Sequence, residues 1–295
     1  MKTSGEKWTT CTQEKKTEEA DEQKRCPPET YPRFHPHCGK SYSFFHLSVE
    51  KRTVDKIQNA YYNKNMLTAP DFEEIERLYR LNEQKFALYA AMLKEYNQKY
   101  NLTSITDEDG ILYKHFYDSM AGIGCFRENA TVMEVGSGGG FPSIPLKIVR
   151  GDLRFTLLES TGKKCDFLRA VIEALKLDHV EVVNRRAEEV ARDNRYRERY
   201  SVCCARAVAR LNTLAEYCLP FVEKGGVFLA YKGDAAEEVK EAQNAVCVLG
   251  GKGAQCVPYS LPHGMGERTL VQIEKIKYTP PQYPRGHGKE RSKPL

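Results

Sequence analysis

The run Val132-Met133-Glu134-Val135-Gly136-Ser137-Gly138-Gly139-Gly140-Phe141-Pro142 carries the sharpest chemical signal in this chain of 295 residues. A short apolar strand feeds a Gly-rich turn that opens a helix. Such a turn brings a ligand against bare backbone at a helix N-terminus. A second apolar strand, Phe155–Leu158, ends at Glu159, and a carboxylate there can accept both hydroxyls of a ribose. Turn and acid together predict a site for a nucleoside-containing cofactor. A dinucleotide fingerprint asks for a small residue at the third position of G-x-G-x-x-G/A. Here Gly136 and Gly138 are followed by Phe141, whose ring blocks the tight helix–strand packing a small residue allows. S-adenosylmethionine needs no pyrophosphate cradle, so the pattern favours a methyltransferase over a dehydrogenase.

The residues after the fourth strand narrow the acceptor of the methyl group. Exocyclic-amine methylation usually goes with an Asn/Asp-Pro-Pro-aromatic motif, and this chain has Cys204-Ala205-Arg206-Ala207 instead. Pyrimidine C5 methylation uses a catalytic Cys, often after Pro, and the chain contains no Pro-Cys dipeptide. A ring nitrogen such as guanine N7 needs neither device. Its lone pair is nucleophilic and carries no proton, so transfer is a matter of proximity and alignment. No catalytic acid or base is therefore assigned.

The elements that must position these residues follow from periodicity. From Pro70 the pattern is helical: Asp71 with Glu74 forms a capping box, and Ile75, Leu78, Tyr79, Phe86, Tyr89, Leu93 and Tyr96 recur at helical spacing up to a break at Asn101-Leu102-Thr103. A further helix is expected from Asp107, carrying Leu112, His115, Phe116 and Ser119. Strands are expected at Thr131–Val135, Phe155–Leu158, Val180–Asn184, Ser201–Ala205 and Val227–Tyr231, the last after a Gly225-Gly226 turn. Helices are expected at Ile144–Val149, Lys164–Leu175, Leu211–Leu219 and Ala235–Ala245, and two late strands at Gln255–Tyr259 and Thr269–Lys277. Strands alternating with helices predict a parallel-type, doubly wound α/β sheet.

Composition bounds the rest. Apolar residues make up 41% and charged residues 29%, with net charge +5, which suits a globular chain of about two domains. No apolar run reaches the ~18 residues of a spanning helix. Met1–Ala20 is charged throughout and lacks the apolar core of a secretory signal, so a cytoplasmic chain with reduced thiols is expected. Cys203, Cys218 and Cys247 sit in apolar runs, where Cys acts as a small hydrophobe. Residues 1–65 lack periodicity and read as a disordered extension. Cys26, His35, His37 and Cys38 lack the paired spacing of a zinc site, so no metal is expected. Residues 66–125 form a helical lead-in, and 126–295 the α/β domain. From Lys275 onward Lys275, Lys277, Arg285, Lys289, Arg291 and Lys293 face a single acid, Glu290. That tail reads either as a phosphate-seeking segment or as a solvated terminus.

From Met66 to Leu295 the chain resembles the bacterial small-subunit ribosomal RNA guanine-N7 methyltransferase family, also called glucose-inhibited division protein B. The matching stretches are Tyr100-Asn101-Leu102-Thr103-Ser104-Ile105, His115-Phe116-Tyr117-Asp118-Ser119, Val135 through Leu146, Ala187-Glu188-Glu189, Ala205-Arg206-Ala207, Leu219-Pro220, Lys224-Gly225-Gly226, Tyr231-Lys232-Gly233 and the Tyr278–Leu295 ending. The resemblance implies a Rossmann-like class I methyltransferase domain behind a short helical region. It implies methyl transfer from S-adenosyl-L-methionine to N7 of a guanosine in the decoding-region loop of 16S rRNA in the small ribosomal subunit. Nothing in the sequence suggests an obligate dimer, so a monomer without a membrane partner is expected. The resemblance places cofactor contacts at Gly136, Phe141, Ala187, Glu188 and Arg206, with Arg206 lining the cleft and Glu159 standing where such enzymes often carry Asp. Plainer roles remain open: Arg206 as a surface ion-pair partner, Glu188 as a helix-start acid, His115 and Asp118 as braces of the helical region. The alternative functions are a small-molecule methyltransferase and a non-catalytic RNA-binding relative.

Overall fold

The computed structural model describes residues 67–295. The Cys26, His35, His37 and Cys38 cluster, with the rest of the N-terminal extension, lies outside the described residues. Seven strands form one sheet: β1 (Thr131–Val135), β2 (Arg154–Glu159), β3 (Val180–Asn184), β4 (Tyr200–Arg206), β5 (Val222–Lys232), β6 (Gln255–Ser260) and β7 (Glu267–Glu274), in the order β3-β2-β1-β4-β5-β7-β6. The first five pair in parallel, and β7 runs antiparallel to both β5 and β6. Dinucleotide-binding sheets of order 3-2-1-4-5-6 have no such reversed strand.

Both faces of the sheet are covered, which is why its central strands read as unbroken apolar runs. Alternation divides them. Val132, Leu157, Cys204 and Leu229 join the core shared with the N-terminal helices, while Met133, Leu158, Cys203 and Phe228 join the core on the other face. The vicinal Cys203-Cys204 pair thus faces opposite ways, and both are free buried thiols. Cys218 is buried as expected, but Cys247 is exposed.

The lead-in helix is two helices, α1 (Phe72–Leu81) and α2 (Glu83–Tyr100). Asn82 divides them at φ −121°, with its side-chain amide donating to the Leu78 carbonyl at 3.0 Å in place of helix continuation. Asp71 caps α1 by accepting from the Glu74 amide at 3.1 Å. The Glu74 carboxylate turns to Arg77 at 2.7 Å, so only half of the expected capping box forms. The helix expected after Asp107 is π-helical over Gly110–Tyr117 and continues as Asp118–Met120; together these are α3.

The remaining helices are α4 (Ser143–Val149), α5 (Gly162–Ala174), α6 (Ala187–Val190), α7 (Leu211–Cys218), α8 (Ala236–Glu241), α9 (Gln243–Val248) and α10 (Lys289–Ser292). The single helix expected over Ala235–Ala245 is therefore split. Gly225-Gly226 is no turn before β5 but lies within it, at a register shift between β4 and β5. A Cβ on Gly226 would lie 2.7 Å from the Ser201 carbonyl, so the bulge needs glycine.

The basic C-terminal tail is neither frayed nor wholly available to phosphate. Lys275 is fully buried, and its ammonium donates to Leu219 O at 2.5 Å and Thr279 Oγ1 at 2.6 Å, while burial pushes its pKa down to about 8. Arg285 forks onto the buried Glu216 carboxylate at 2.6 and 2.9 Å. Glu290 is buried and accepts from the Gly286 amide. Lys277, Lys289, Arg291 and Lys293 stay exposed. Truncation after Pro284 is thus expected to destabilise the fold by about 3–5 kcal/mol, because it strands the buried Glu216 charge. Urea unfolding measures this, and an unchanged midpoint would show the tail to be dispensable packing.

Candidate functional site

The strand order reverses between β1 and β4, and in an open α/β sheet the crevice outside the strand ends at that point takes the ligand. Gly136 follows β1 there, and Arg206 ends β4. Gly136 has φ +73°, and a Cβ on it would lie 2.6 Å from Val208 Cγ2. The turn therefore approaches the next loop too closely for any side chain.

The amides of this turn are largely engaged within the protein. Gly136 and Ser137 donate to the Leu158 carbonyl at 2.8 and 3.2 Å, and Gly140 donates to Ser137 O at 2.6 Å. Gly138 donates to Glu159 Oε2 at 3.0 Å, and Thr161 donates to Glu159 Oε1 at 2.8 Å. A pyrophosphate would find few free N–H groups and a carboxylate beside them. The donor set therefore fits a cofactor without a pyrophosphate, such as S-adenosylmethionine, better than a dinucleotide.

Two cavities meet at Gly136. The larger, about 580 Å³, is walled by Gly136, Phe141, Lys164, Arg206, Lys232 and Glu238 among others. The second, about 410 Å³, is walled by Gly136, Leu158, Ala187, Glu188, Val208 and Tyr217 among others. Of the expected contacts, Phe141 and Arg206 fall on the first wall, Ala187 and Glu188 on the second, and Gly136 on both. Glu159 is on neither of these walls. Its carboxylate is buried and holds the glycine turn from beneath.

Arg206 is not a surface residue. Its guanidinium donates to Lys114 O at 3.0 Å and Asp118 Oδ2 at 3.0 Å, and meets His115 Nδ1 at 2.9 Å. It also lies over the Phe141 ring, 4.8 Å from the centroid, while the His115 ring stacks on Phe141 at 4.2 Å. Asp118 Oδ1 accepts from the Tyr259 hydroxyl at 2.7 Å and lies 3.7 Å from Arg268. Arg206 thus ties the sheet to the helical lead-in. His115 and Asp118 do brace that region, and the same two residues also wall the larger cavity.

The tautomer of His115 follows from its partners. Arg206 only donates, so Nδ1 accepts, and Nε2 carries the proton toward Thr103 Oγ1 at 2.8 Å. Burial and the neighbouring Arg206 push the His115 pKa down to about 3, so the ring is neutral. Thr103 is set in place by Asn97, whose side chain makes two 2.9 Å bonds to the Thr103 backbone. Tyr89 on α2 reaches the glycine turn itself and donates to Gly139 O.

Glu134, two residues before Gly136, is fully buried, and neither of its oxygens has a hydrogen-bond partner among the described residues. Burial pushes its pKa up to about 8. His115 and Glu134 act on stability in opposite directions. The unfolded chain binds the His115 proton below about pH 6.5 and the folded chain refuses it down to about 3, so this contribution is complete above 6.5 and is lost as pH falls. Glu134 holds its proton up to about pH 8 folded but only to about 4.5 unfolded, so its contribution is complete below 4.5 and is lost as pH rises. Relative to wild type, Glu134→Gln is therefore expected to gain stability steadily between about pH 4.5 and 8, by an amount on the order of a few kcal/mol. Urea unfolding across that range tests this, and a pH-independent difference would show the folded Glu134 to be ionised.

Sequence reasoning missed Tyr89, Thr103, Glu134 and Tyr259 as parts of the site. Tyr89, Thr103 and Glu134 stood in stretches it had singled out. Tyr259 carried no signal at all, because its contact with Asp118 spans 141 residues.

The sequence profile of the family rRNA small subunit methyltransferase G matches residues 82–269 of this chain. The ribosomal RNA small subunit methyltransferase G of Lactobacillus acidophilus is 47% identical over 218 residues, covering 72% of this chain and 91% of that protein. The protein of the same name from Acetivibrio thermocellus is 45% identical over 212 residues, covering 72% and 88%. Among solved structures, cofactor-bound Rv0187 from MTB has a TM-score of 0.47 at 17% identity, covering 71% of this chain and 98% of that one. The strand order, and not this last likeness, carries the fold. With nearly all of each relative's length matched at such identity, and with the glycine turn, its supporting acid and Arg206 meeting at one crevice, this chain belongs to the rRNA small subunit methyltransferase G family.

Proposed function

We propose that this protein transfers the methyl group of S-adenosyl-L-methionine to N7 of a guanosine in the decoding-region loop of 16S rRNA. The observation that supports this reading is the meeting of two cavities at Gly136 in a chain of this family. The cofactor supplies an electrophilic methyl on a sulfonium. Ala187 and Glu188 wall the second cavity, which this reading assigns to adenine, and Gly136 lets the ligand pass from one cavity to the other. Phe141, stacked on the His115 ring and lying against the Arg206 guanidinium, walls the larger cavity beside the transfer path. Glu159 plays a supporting part by fixing the turn on which the cofactor rests.

No base is required. Guanine N7 carries no proton, and positive charge passes from sulfur to the ring with no net change. His115 is neutral with both nitrogens engaged, so it holds geometry and moves no proton. Placement can supply ~7–11 kcal/mol of a bimolecular barrier. Lys114, Lys164 and Arg268 line the larger cavity and offer charge for RNA phosphates. This reading makes the protein a cytoplasmic monomer that works on the small ribosomal subunit. None of the described helices is long and apolar enough to cross a membrane.

The test is methyl transfer to 30S subunits, and to naked 16S rRNA, from a strain lacking the enzyme, with the product nucleoside identified by mass spectrometry. N7-methylguanosine is expected. Cofactor binding without transfer to either substrate would overturn the RNA reading in favour of a small-molecule acceptor.

A further inference from the structure

We propose that the Lys232–Glu238 pair reads the Watson–Crick edge of the target base and so selects guanine. This rests on the guanine-N7 reading above and gives it a recognition element. If N7 is the nucleophile, it must stay uncovered. A reader approaching from the N7/O6 side would obstruct the incoming methyl group. The base must then be recognised from the opposite edge, where guanine presents the O6 acceptor beside the N1–H and N2–H₂ donors. Adenine presents a donor at position 6 and an acceptor at N1, the reverse order. A protein group that puts a donor next to an acceptor therefore fits guanine and rejects adenine.

The larger cavity has two carboxylates on its described wall, Asp118 and Glu238. Asp118 is buried, and both its oxygens are engaged, Oδ1 by Tyr259 and Oδ2 by Arg206. Glu238 differs. Its Oε2 accepts from the Leu211 amide at 2.7 Å and pairs with the Lys232 ammonium at 2.6 Å, while Oε1 has no bond among the described residues. The Glu238 side chain is 19% exposed, so the carboxylate borders the cavity and is not sealed in the core. Lys232 Nζ donates to Ala209 O at 2.8 Å and pairs with Glu238 Oε2 at 2.6 Å, which leaves the ammonium able to donate further. The wall thus offers a carboxylate oxygen beside an ammonium group that can still donate.

The pair is also well fixed. Lys232 ends β5, Glu238 lies on α8, and their bonds to Ala209 and Leu211 tie both to the segment that follows Arg206 at the end of β4. It stands on the same cavity as Arg206 and Phe141, where the transferred methyl is expected. The plainer role is an ion pair that merely caps α7. The two roles differ in whether the pair discriminates between bases. Reading a Watson–Crick edge further requires that the guanosine be unpaired or turned out of its helix.

The experiment uses the full chain and a 16S rRNA carrying either guanosine or 2-aminopurine riboside at the position mapped by the methylation assay. 2-Aminopurine keeps N7 but has an acceptor at N1 and no O6. Wild type is expected to prefer guanosine in kcat/KM by roughly 100-fold or more, because the wrong base leaves buried polar groups unpaired. Glu238→Gln keeps an oxygen for the Leu211 amide but offers an NH₂ group where the free oxygen stood. It is expected to lose at least roughly tenfold on guanosine while its preference over 2-aminopurine narrows by a similar factor. Affinity for S-adenosylmethionine and the unfolding midpoint are the readouts that should stay close to wild type. An equal loss on both bases would overturn the proposal and leave the pair a helix cap. Wild type that methylates no guanosine at all would instead overturn the function on which it rests.

Discussion

Arg206→Ala is expected to abolish measurable methyl transfer and to destabilise the fold by about 3–5 kcal/mol. Three contacts go at once: the Lys114 carbonyl, the Asp118 carboxylate and His115 Nδ1. The severe loss is electrostatic. The Asp118 side chain is 5% exposed, and without Arg206 its charge keeps only the Tyr259 hydroxyl and the more distant Arg268. A buried charge deprived of its partner is far costlier than a missing neutral contact. Function fails for a second reason. The guanidinium lies over Phe141 and holds His115 by Nδ1, and the two rings stack on each other, so the wall of the larger cavity loosens when it goes. Arg206→Lys keeps the charge but cannot fork to three acceptors, and should recover part of the stability with little activity. Urea unfolding and single-turnover transfer read the two effects separately. Adding Asp118→Asn should restore part of the stability lost in Arg206→Ala, since it removes the stranded charge. Additive losses in the pair would show that the ion pair is not what holds the two regions together.

Gly136→Ala is expected to weaken S-adenosylmethionine binding by roughly 100-fold or more while lowering stability by only about 1–3 kcal/mol. The backbone there is at φ +73°, which an L side chain adopts at a penalty of roughly 1–2 kcal/mol. The added methyl also meets Val208 Cγ2 at 2.6 Å, and Val208 walls the second cavity. Relief of that contact pushes either the turn or Val208 into the region where the two cavities meet. Titration calorimetry with the cofactor measures the affinity. Adding Val208→Ala separates the causes. Recovery of binding would assign the loss to crowding between the loops, whereas no recovery would mean that the ligand itself lies against the bare Gly136 backbone. Unchanged affinity in Gly136→Ala would move the cofactor away from this turn.

Much of the fold was legible because it is written in local periodicity. Thr131–Val135 and Val180–Asn184 form strands with the bounds their apolar runs imply, and the Asp71 cap starts its helix where expected. The order of strands and helices announced a doubly wound sheet. In such a sheet the residues after β1 and at the end of β4 must converge at the switch point, whatever else the chain does. Gly136 and Arg206 were therefore legible as crevice residues from their place in the pattern.

Beyond the sequence lay contacts whose partners are far apart in the chain. The helical pattern around His115 is the same whether it winds as an α- or a π-helix. Only the structure shows the wider turn over Gly110–Tyr117 that bears His115 and leads into Asp118, both of which meet Arg206. Glu159 read as a ribose acceptor because its strand-end position was visible, while its engagement by the Gly138 and Thr161 amides was not. Lys275 and Arg285 read as free charge because composition counts charges without their partners, and folding buries Lys275 and pairs Arg285 with Glu216. The order of strands and helices and the residue types at the crevice depend on neighbours along the chain, so they could be read before folding was known, while breaks within helices and the bulge in β5 could not. Tertiary structure alone decided which charges are available to a ligand, since burial and pairing depend on neighbours in space.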